Sequence, residues 1–209
     1  MNQSGSNEQG GTGGVSVWCV MHGLRMLAAS LASLVYWVVG GLLFVIAGLV
    51  CVPFLPGETS RALGQWLLQG AFRTFLLLLR LFGVLRVEYR GLDKLRDSTG
   101  GLIVAPNHPA LWDAVCVIAR IEGLRCILKA SLLHNPILVG GATLAGFIPN
   151  KPVHKMVQCS IEALRQGERL LFFPEGTRTR KQEGVVNPFQ GGIGIIAAQS
   201  GAPVWPVFI

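Results

Sequence analysis

Charge is scarce in this 209-residue chain, and acidic charge scarcest of all. Only 14% of residues are charged, against roughly 25% in an ordinary soluble domain. Hydrophobic residues make up 51% and the mean hydropathy is +0.50, so the composition leans toward a membrane-associated protein. No dense Lys/Arg cluster is interleaved with aromatics, which argues against a nucleic-acid groove. No C-x-x-C pair occurs. Cys19, Cys51, Cys116, Cys126 and Cys159 are scattered and odd in number, which argues against a disulfide framework or a zinc ribbon. Most of them read as small buried apolar residues. The histidines lack ligand spacing, so no metal site is expected. The strained G-x-S-x-G elbow of a serine hydrolase is missing too. "GIGIIA" (Gly192–Ala197) fits a dinucleotide fingerprint, but no strand leads into it and no acidic residue follows at the required distance. It reads as small residues for close helix packing.

What charge there is has one dominant sign. The formal net charge is +7 and the pI about 9.6. Such a balance suits anionic partners: phospholipid head groups, coenzyme phosphates or an acidic carrier protein.

Residues 1–14, "MNQSGSNEQGGTGG", hold almost nothing to bury and read as a disordered tail. The stretch 15–85 reads as membrane-anchoring helices. Leu27–Leu55 carries no charge, and about 20 apolar residues suffice to cross a bilayer as a helix. A span over 27–55 is expected, with a signal peptide or a buried soluble helix as competitors. Arginines 61, 73, 80, 86 and 90 follow it, and the positive-inside tendency places the later part of the chain in the cytoplasm. Between 61 and 85, Gln65, Gln69, Arg73 and Arg80 share one narrow helical stripe on an otherwise apolar helix. That pattern fits a helix lying in the membrane interface or one packed on the main domain.

From residue 86 to 209, strands alternate with helices. Strands are expected at "LRVEY" (Leu85–Tyr89), Leu102–Pro106, Arg125–Lys129, Gly146–Pro149, Arg169–Pro174 and within "PVWPVFI". Helices are expected from near Pro109 to Arg120, over 131–145, over Lys155–Gln166 and over Ile193–Gln199. This alternation indicates an α/β sandwich around a largely buried sheet.

Two segments carry chemistry. In "APNHPALWDAV", a helix starting near Pro109 puts Asp113 just over one turn on, within reach of His108. A carboxylate holding one ring nitrogen fixes the tautomer and makes the other nitrogen a better base. Taken alone, the segment fits a polar turn with local hydrogen bonds better than a catalytic pair. In "FFPEGTRTR", Gly176 permits a sharp turn at the end of a buried strand, where ligands of α/β sheets bind. Arg178 can clamp a phosphate with its forked donors, and Glu175 can bind a substrate hydroxyl or orient Arg178. The alternative is an ordinary turn with a surface ion pair of little energetic value.

Together the two segments resemble the N-H-x-x-x-x-D and F-P-E-G-T-R-S/T elements of the glycerolipid acyltransferases, in the family's order and at a similar separation. "AGFIPNK" (Ala145–Lys151) and "GAPVWPV" (Gly201–Val207) resemble its intermediate and late strand elements. The resemblance covers about 85–209 and implies a glycerolipid-acyltransferase-like αβ sandwich preceded by membrane-associated helices. It implies His108 as general base and Asp113 as its orienting acid, with no acyl-enzyme. It also implies that Asn107, Lys151, Glu175, Gly176, Thr177 and Arg178 bind the acceptor. The implied acceptor is a lysophospholipid, foremost 1-acylglycerol-3-phosphate. The donor is acyl-CoA or acyl carrier protein, a substrate rather than a cofactor. Membrane lipids are then partners, nucleic acid is not, and the location is a bacterial inner membrane with a cytoplasmic catalytic domain.

The chain departs from the family at Asn150–Lys151, where relatives carry an arginine that helps hold the acceptor phosphate. It also reads "NPFQGG" where a basic residue is common, and it stops at the late strand, as in a truncated or minimal member. A different acceptor, such as a lyso-ornithine lipid or a specialised lipid, is therefore an alternative. A non-catalytic lipid-binding protein of the same fold is another.

Overall fold

A computed structural model describes residues 12–95, 100–110, 112–179 and 186–209. Most of the stretch expected as a tail lies outside the described residues; its last three residues already belong to the first helix.

That helix, α1 (Thr12–Phe54), has 43 residues. At about 1.5 Å per residue it is roughly 65 Å long, twice the hydrocarbon thickness of about 30 Å. The second helix, α2 (Gly57–Leu81), turns back along it, and the Tyr36 hydroxyl donates to the Ala71 carbonyl at 2.7 Å to tie the two. Both helices are long and apolar enough to cross a membrane. Val17, Leu24, Leu34, Leu42 and Leu49 of α1 are exposed apolar residues. An apolar groove of about 850 Å³ runs between the helices, lined among others by Leu31, Tyr36, Val39, Leu43, Phe44 and Leu78. The expected span at 27–55 is thus one part of a longer helix, and part of it is covered by the domain that follows. Helix α4 (Val139–Leu144) lies against it so closely that a Cβ on Gly140 would meet the backbone of Phe44 and Val45.

The polar stripe of α2 has a clear purpose. Gln69 Nε2 donates to the Ile118 carbonyl at 3.2 Å and Arg73 Nε to the Ala119 carbonyl at 2.8 Å. These carbonyls belong to the last turn of α3 (Asp113–Arg120), where helices leave acceptors unsatisfied. Gln65 Nε2 reaches the Ala145 carbonyl at 3.4 Å. Arg61 pairs with Glu168 at 2.7 Å, and Arg125 joins the same carboxylate at 3.3 Å. Gln65, Gln69 and Arg73 of the stripe therefore face the domain. Trp66, Leu77 and Leu81 of the same helix are exposed, as is Arg80.

The domain is built on a five-stranded parallel sheet of order β3-β2-β4-β1-β5. The strands are β1 (Leu102–Pro106), β2 (Leu124–Leu128), β3 (Ile148–Pro149), β4 (Arg169–Leu171) and β5 (Val204–Val207). Alternation along β1 and β4 feeds two cores. Leu102, Val104 and Leu171 pack with Val117, Ile118 and Ile121 of and beyond α3. Ile103, Leu170 and Phe172 pack on the other side with Met156, Ile161 and Leu164 of α5 (Val153–Arg165) and Ile196 of α6 (Gly192–Ser200). The pairing of β1 with β4 aligns Leu102 with Arg169 and Val104 with Leu171. It continues as a Phe172 N–H to Val104 carbonyl bond at 3.0 Å.

Four expectations need correction. "LRVEY" forms no strand; Leu85 joins the α1–α2 aromatic cluster and the Tyr89 hydroxyl donates to the Cys116 carbonyl at 3.0 Å. The helix expected from Pro109 begins at Asp113. The helix expected over 131–145 is split into a 3-10 turn (Ala130–His134) and α4, because the residue before Pro136 is disfavoured in the α region and Asn135 adopts φ −84°, ψ 117°. Of the cysteines, Cys126 alone is buried; Cys51, Cys116 and Cys159 are half-buried and Cys19 is exposed.

Candidate functional site

In a parallel sheet the residues that follow adjacent strands lie together at one end. Here β1 and β4 are neighbours, so the loop opening at Asn107 meets the loop opening at Phe172. Ligands of α/β sheets bind at this end.

His108 leaves β1 with its ring 22% exposed, while the Asp113 side chain is 4% exposed. His108 Nδ1 lies 2.9 Å from Asp113 Oδ2. The same oxygen accepts the Ala110 N–H at 2.7 Å, so it serves as acceptor toward Nδ1 as well. That leaves Nε2 as the nitrogen available to a substrate proton. The later helix start explains the geometry. Asp113 is the first residue of α3, and the preceding loop folds back over its carboxylate. Phe173 stacks on the imidazole at 4.4 Å between centroids, tilted 33°. Behind Asp113, Trp112 packs on Phe75 of α2 and Trp37 of α1 at 5.0 and 6.0 Å. The helix that carries the aspartate is thereby wedged against the apolar hairpin.

Glu175 is 3% exposed. Its Oε1 accepts the His108 N–H at 3.0 Å and the Thr179 hydroxyl at 2.6 Å. Its Oε2 accepts the Asn187 N–H at 3.0 Å. Burial pushes this carboxyl up, but the bonds from Thr179, Asn187 and His108 outweigh burial and hold it below its ordinary range. Thr179 also donates its N–H to the His108 carbonyl at 2.8 Å. Gly176 turns the chain with φ +64°, and a Cβ there would run into the Gln190 amide.

Of the residues expected to bind the acceptor, Thr177 and Arg178 are exposed on the loop after β4. Gly176 makes that loop's turn. Asn107 is buried and its amide pairs with the backbone of Ile209, accepting at 2.7 Å and donating at 3.2 Å. Lys151 is exposed after β3, two strand positions from β4 and so roughly 10 Å across the sheet. Asn150 accepts the Ala130 N–H at 2.9 Å and bridges the ends of β2 and β3. Thr179 and Asn187 were legible as letters of the quoted segments, yet nothing in their spacing marked them as partners of Glu175. Trp112 carried no signal beyond its place beside Asp113.

A family model described as Acyltransferase matches residues 86–209, more than half of the chain. The chain is a member of the acyltransferase family. A 1-acyl-sn-glycerol-3-phosphate acyltransferase of Pseudomonas aeruginosa is 29% identical over 182 residues, covering 84% of this acyltransferase and 65% of the relative. The chloroplastic enzyme of that name from Brassica napus is 28% identical over 127 residues, covering 58% and 36%. The Saccharomyces cerevisiae enzyme of that name is 28% identical over 173 residues, covering 79% and 54%. The acyltransferase thus spans between about a third and two thirds of the length of these curated relatives. In fold it resembles the crystal structure of the 1-acyl-sn-glycerophosphate (LPA) acyltransferase of Thermotoga maritima. The TM-score is 0.66 at 21% identity, over 90% of this acyltransferase and 73% of that chain. The expected αβ sandwich behind apolar N-terminal helices is the fold observed, and its sheet is parallel.

Proposed function

We propose that this acyltransferase moves a fatty acyl group from a thioester donor, acyl-CoA or acyl carrier protein, to the free hydroxyl of 1-acylglycerol-3-phosphate. The observation that carries this reading is the 2.9 Å pairing of His108 Nδ1 with a nearly buried Asp113, on a side chain that keeps 22% of its surface exposed. A base needs one nitrogen fixed and the other within reach of the proton, and the Asp113 bond supports the first of these.

In the proposed reaction, His108 Nε2 accepts the proton of the acceptor hydroxyl as that oxygen attacks the thioester carbonyl. The new C–O bond forms, the C–S bond breaks, and the proton passes from the imidazolium to the departing thiolate. Asp113 stabilises the imidazolium that forms between these steps. Arg178, exposed at the mouth of the site, suits the acceptor phosphate, with Thr177 beside it; Lys151 reaches the same rim from β3 as a point charge. The apolar α1–α2 hairpin keeps the domain at a bilayer, where both acyl chains reside. The basic residues after α1 favour the cytoplasmic face of a bacterial inner membrane.

A second reading is favoured by Asn150, whose side chain is engaged with Ala130. With that position closed to phosphate, the acceptor is a lysolipid with a different head group. Thioester consumption with lysophosphatidic acid, compared between the wild type and His108→Ala, tests the enzyme reading. Loss of at least 100-fold in turnover is expected, from the range typical of general-base groups. Equal turnover would reject the dyad. Mass spectrometry of products from a panel of lysolipids decides the acceptor.

A further inference from the structure

The carboxylate in the loop after β4 invites a substrate-binding role for Glu175, yet it is buried and three of its roughly four acceptor sites are taken within the fold. Both oxygens are occupied. Oε1 takes the His108 N–H and the Thr179 hydroxyl, and Oε2 takes the Asn187 N–H. The side chain lies under the loop, 3% exposed, while Thr177 and Arg178 stand outside.

We propose that Glu175 and Thr179 are positioning residues that grip the backbone of His108, and that Glu175 does not touch the acceptor. The grip is two-sided. The His108 N–H lies 3.0 Å from Glu175 Oε1 and 3.2 Å from Thr179 Oγ1. The His108 carbonyl accepts the Thr179 N–H at 2.8 Å. The Thr179 hydroxyl donates to Glu175 at 2.6 Å, which orients the carboxylate toward His108. Both backbone groups of the base are therefore held by the other motif. His108 sits just before Pro109, in a loop rather than a helix, so no secondary structure fixes its Cα. The ring hangs from that Cα and must meet Asp113 at hydrogen-bond distance. A displacement of about 1 Å costs a positioned catalytic group on the order of 100-fold. The hydroxyl of residue 179 is thus needed for its bond to Glu175, not for contact with lipid.

This inference rests on His108 being the base of the proposed reaction, and its test separates the two. Thr179→Val keeps the shape and removes the hydroxyl; Thr179→Ser restores it. Steady-state kinetics are measured with lysophosphatidic acid and an acyl thioester. For Thr179→Val, kcat falls about 10- to 100-fold while KM for lysophosphatidic acid changes less than twofold, and Thr179→Ser recovers to within about threefold. Glu175→Gln gives the same split. Combined with Thr179→Val it adds little further loss, because the two act as one unit. A rise in acceptor KM with kcat preserved, in either single variant, overturns the proposal. Independently of turnover, ¹⁵N NMR of His108 in the resting full-length protein reports its tautomer. Wild type shows a single Nδ1–H form and Thr179→Val a mixture; identical spectra overturn the proposal. Absence of turnover by the wild type counts against the proposed reaction alone, since the NMR result stands without it.

Discussion

Replacing Asp113 by Asn removes a charge while leaving the hydrogen-bonding shape. In the native protein Oδ2 lies 2.9 Å from His108 Nδ1 and 2.7 Å from the Ala110 N–H. An asparagine carbonyl can accept from both, so the loop keeps its geometry and the ring its place. What disappears is attraction to the positive charge that grows on the imidazole as it takes the proton. With the carboxylate about 4 Å from the centre of that charge and an effective dielectric near 20, the interaction is about 4 kcal/mol. The transition state carries between half and all of the charge, so the barrier rises by roughly 2–4 kcal/mol. At about 1.4 kcal/mol per decade, kcat should fall roughly 30- to 1,000-fold. KM for the acceptor should move little, since nothing that binds it is touched. The assay is initial-rate release of free thiol from an acyl thioester with saturating lysophosphatidic acid. A loss below threefold would show that no positive charge develops on His108, and the general-base reading would fail.

Two further outcomes test the packing and the electrostatics. Gly140→Val puts side-chain atoms into the backbone of Phe44 and Val45, whereas a Cβ at Gly48 meets the Gly140 carbonyl oxygen and Cα at an ordinary 3.7 and 4.0 Å. Overpacking of this kind costs about 1–3 kcal/mol, so Gly140→Val should lower the Tm by roughly 2–12 °C in a chain of this size, with Gly48→Ala as the neutral comparison in the same thermal scan. The Glu175 carboxyl is held below its ordinary value by its donors despite burial. Its ionised form therefore stabilises the fold above the ordinary value of 4.5, and that stability is lost as pH falls below it. Denaturant midpoints between pH 7 and pH 3 should drop less steeply in Glu175→Gln than in wild type.

Much of the sheet was readable because buried parallel strands are short apolar runs bounded by turns. All five strand sites were anticipated, with ends shifted by a few residues. The run at Leu85–Tyr89 misled for the same reason: β-propensity has no force without a neighbouring strand, and those residues spend their side chains on α1, α2 and α3 instead. The helix start near Pro109 misled because proline suits a first turn equally well in a loop. What decided the matter was Asp113 reaching back to Ala110, a contact that spacing does not reveal. The dyad itself was legible as two letters five positions apart, and the structure brings them to 2.9 Å. The role of Glu175 was not legible. Two of its partners lie 67 positions before it and 12 after it, the third is Thr179 four positions on, and a charged residue in a glycine turn looks solvent-facing in sequence. The glutamine and arginine stripe of α2 was visible, but not its direction, because the carbonyls it meets belong to the end of a helix some 46–49 residues further on.

The alignment of β1 with β4 reaches further than the sheet. Leu102 stands opposite Arg169, and the same 67-residue offset carries on past the strands to His108 and Glu175. The meeting of the two motifs is thus an extension of strand pairing. A slip of one residue would shift the partners by about 3.3 Å and turn alternate side chains to the opposite face, so a misregistered molecule would be inactive as well as unstable. Everything threaded between the two strands, from α3 to α5, is absent from that alignment. Insertions or deletions in the connections there, such as around the Ala130–His134 turn, leave the meeting point where it is. The connections beyond α3 can therefore change in length without displacing His108, Asp113 or Glu175.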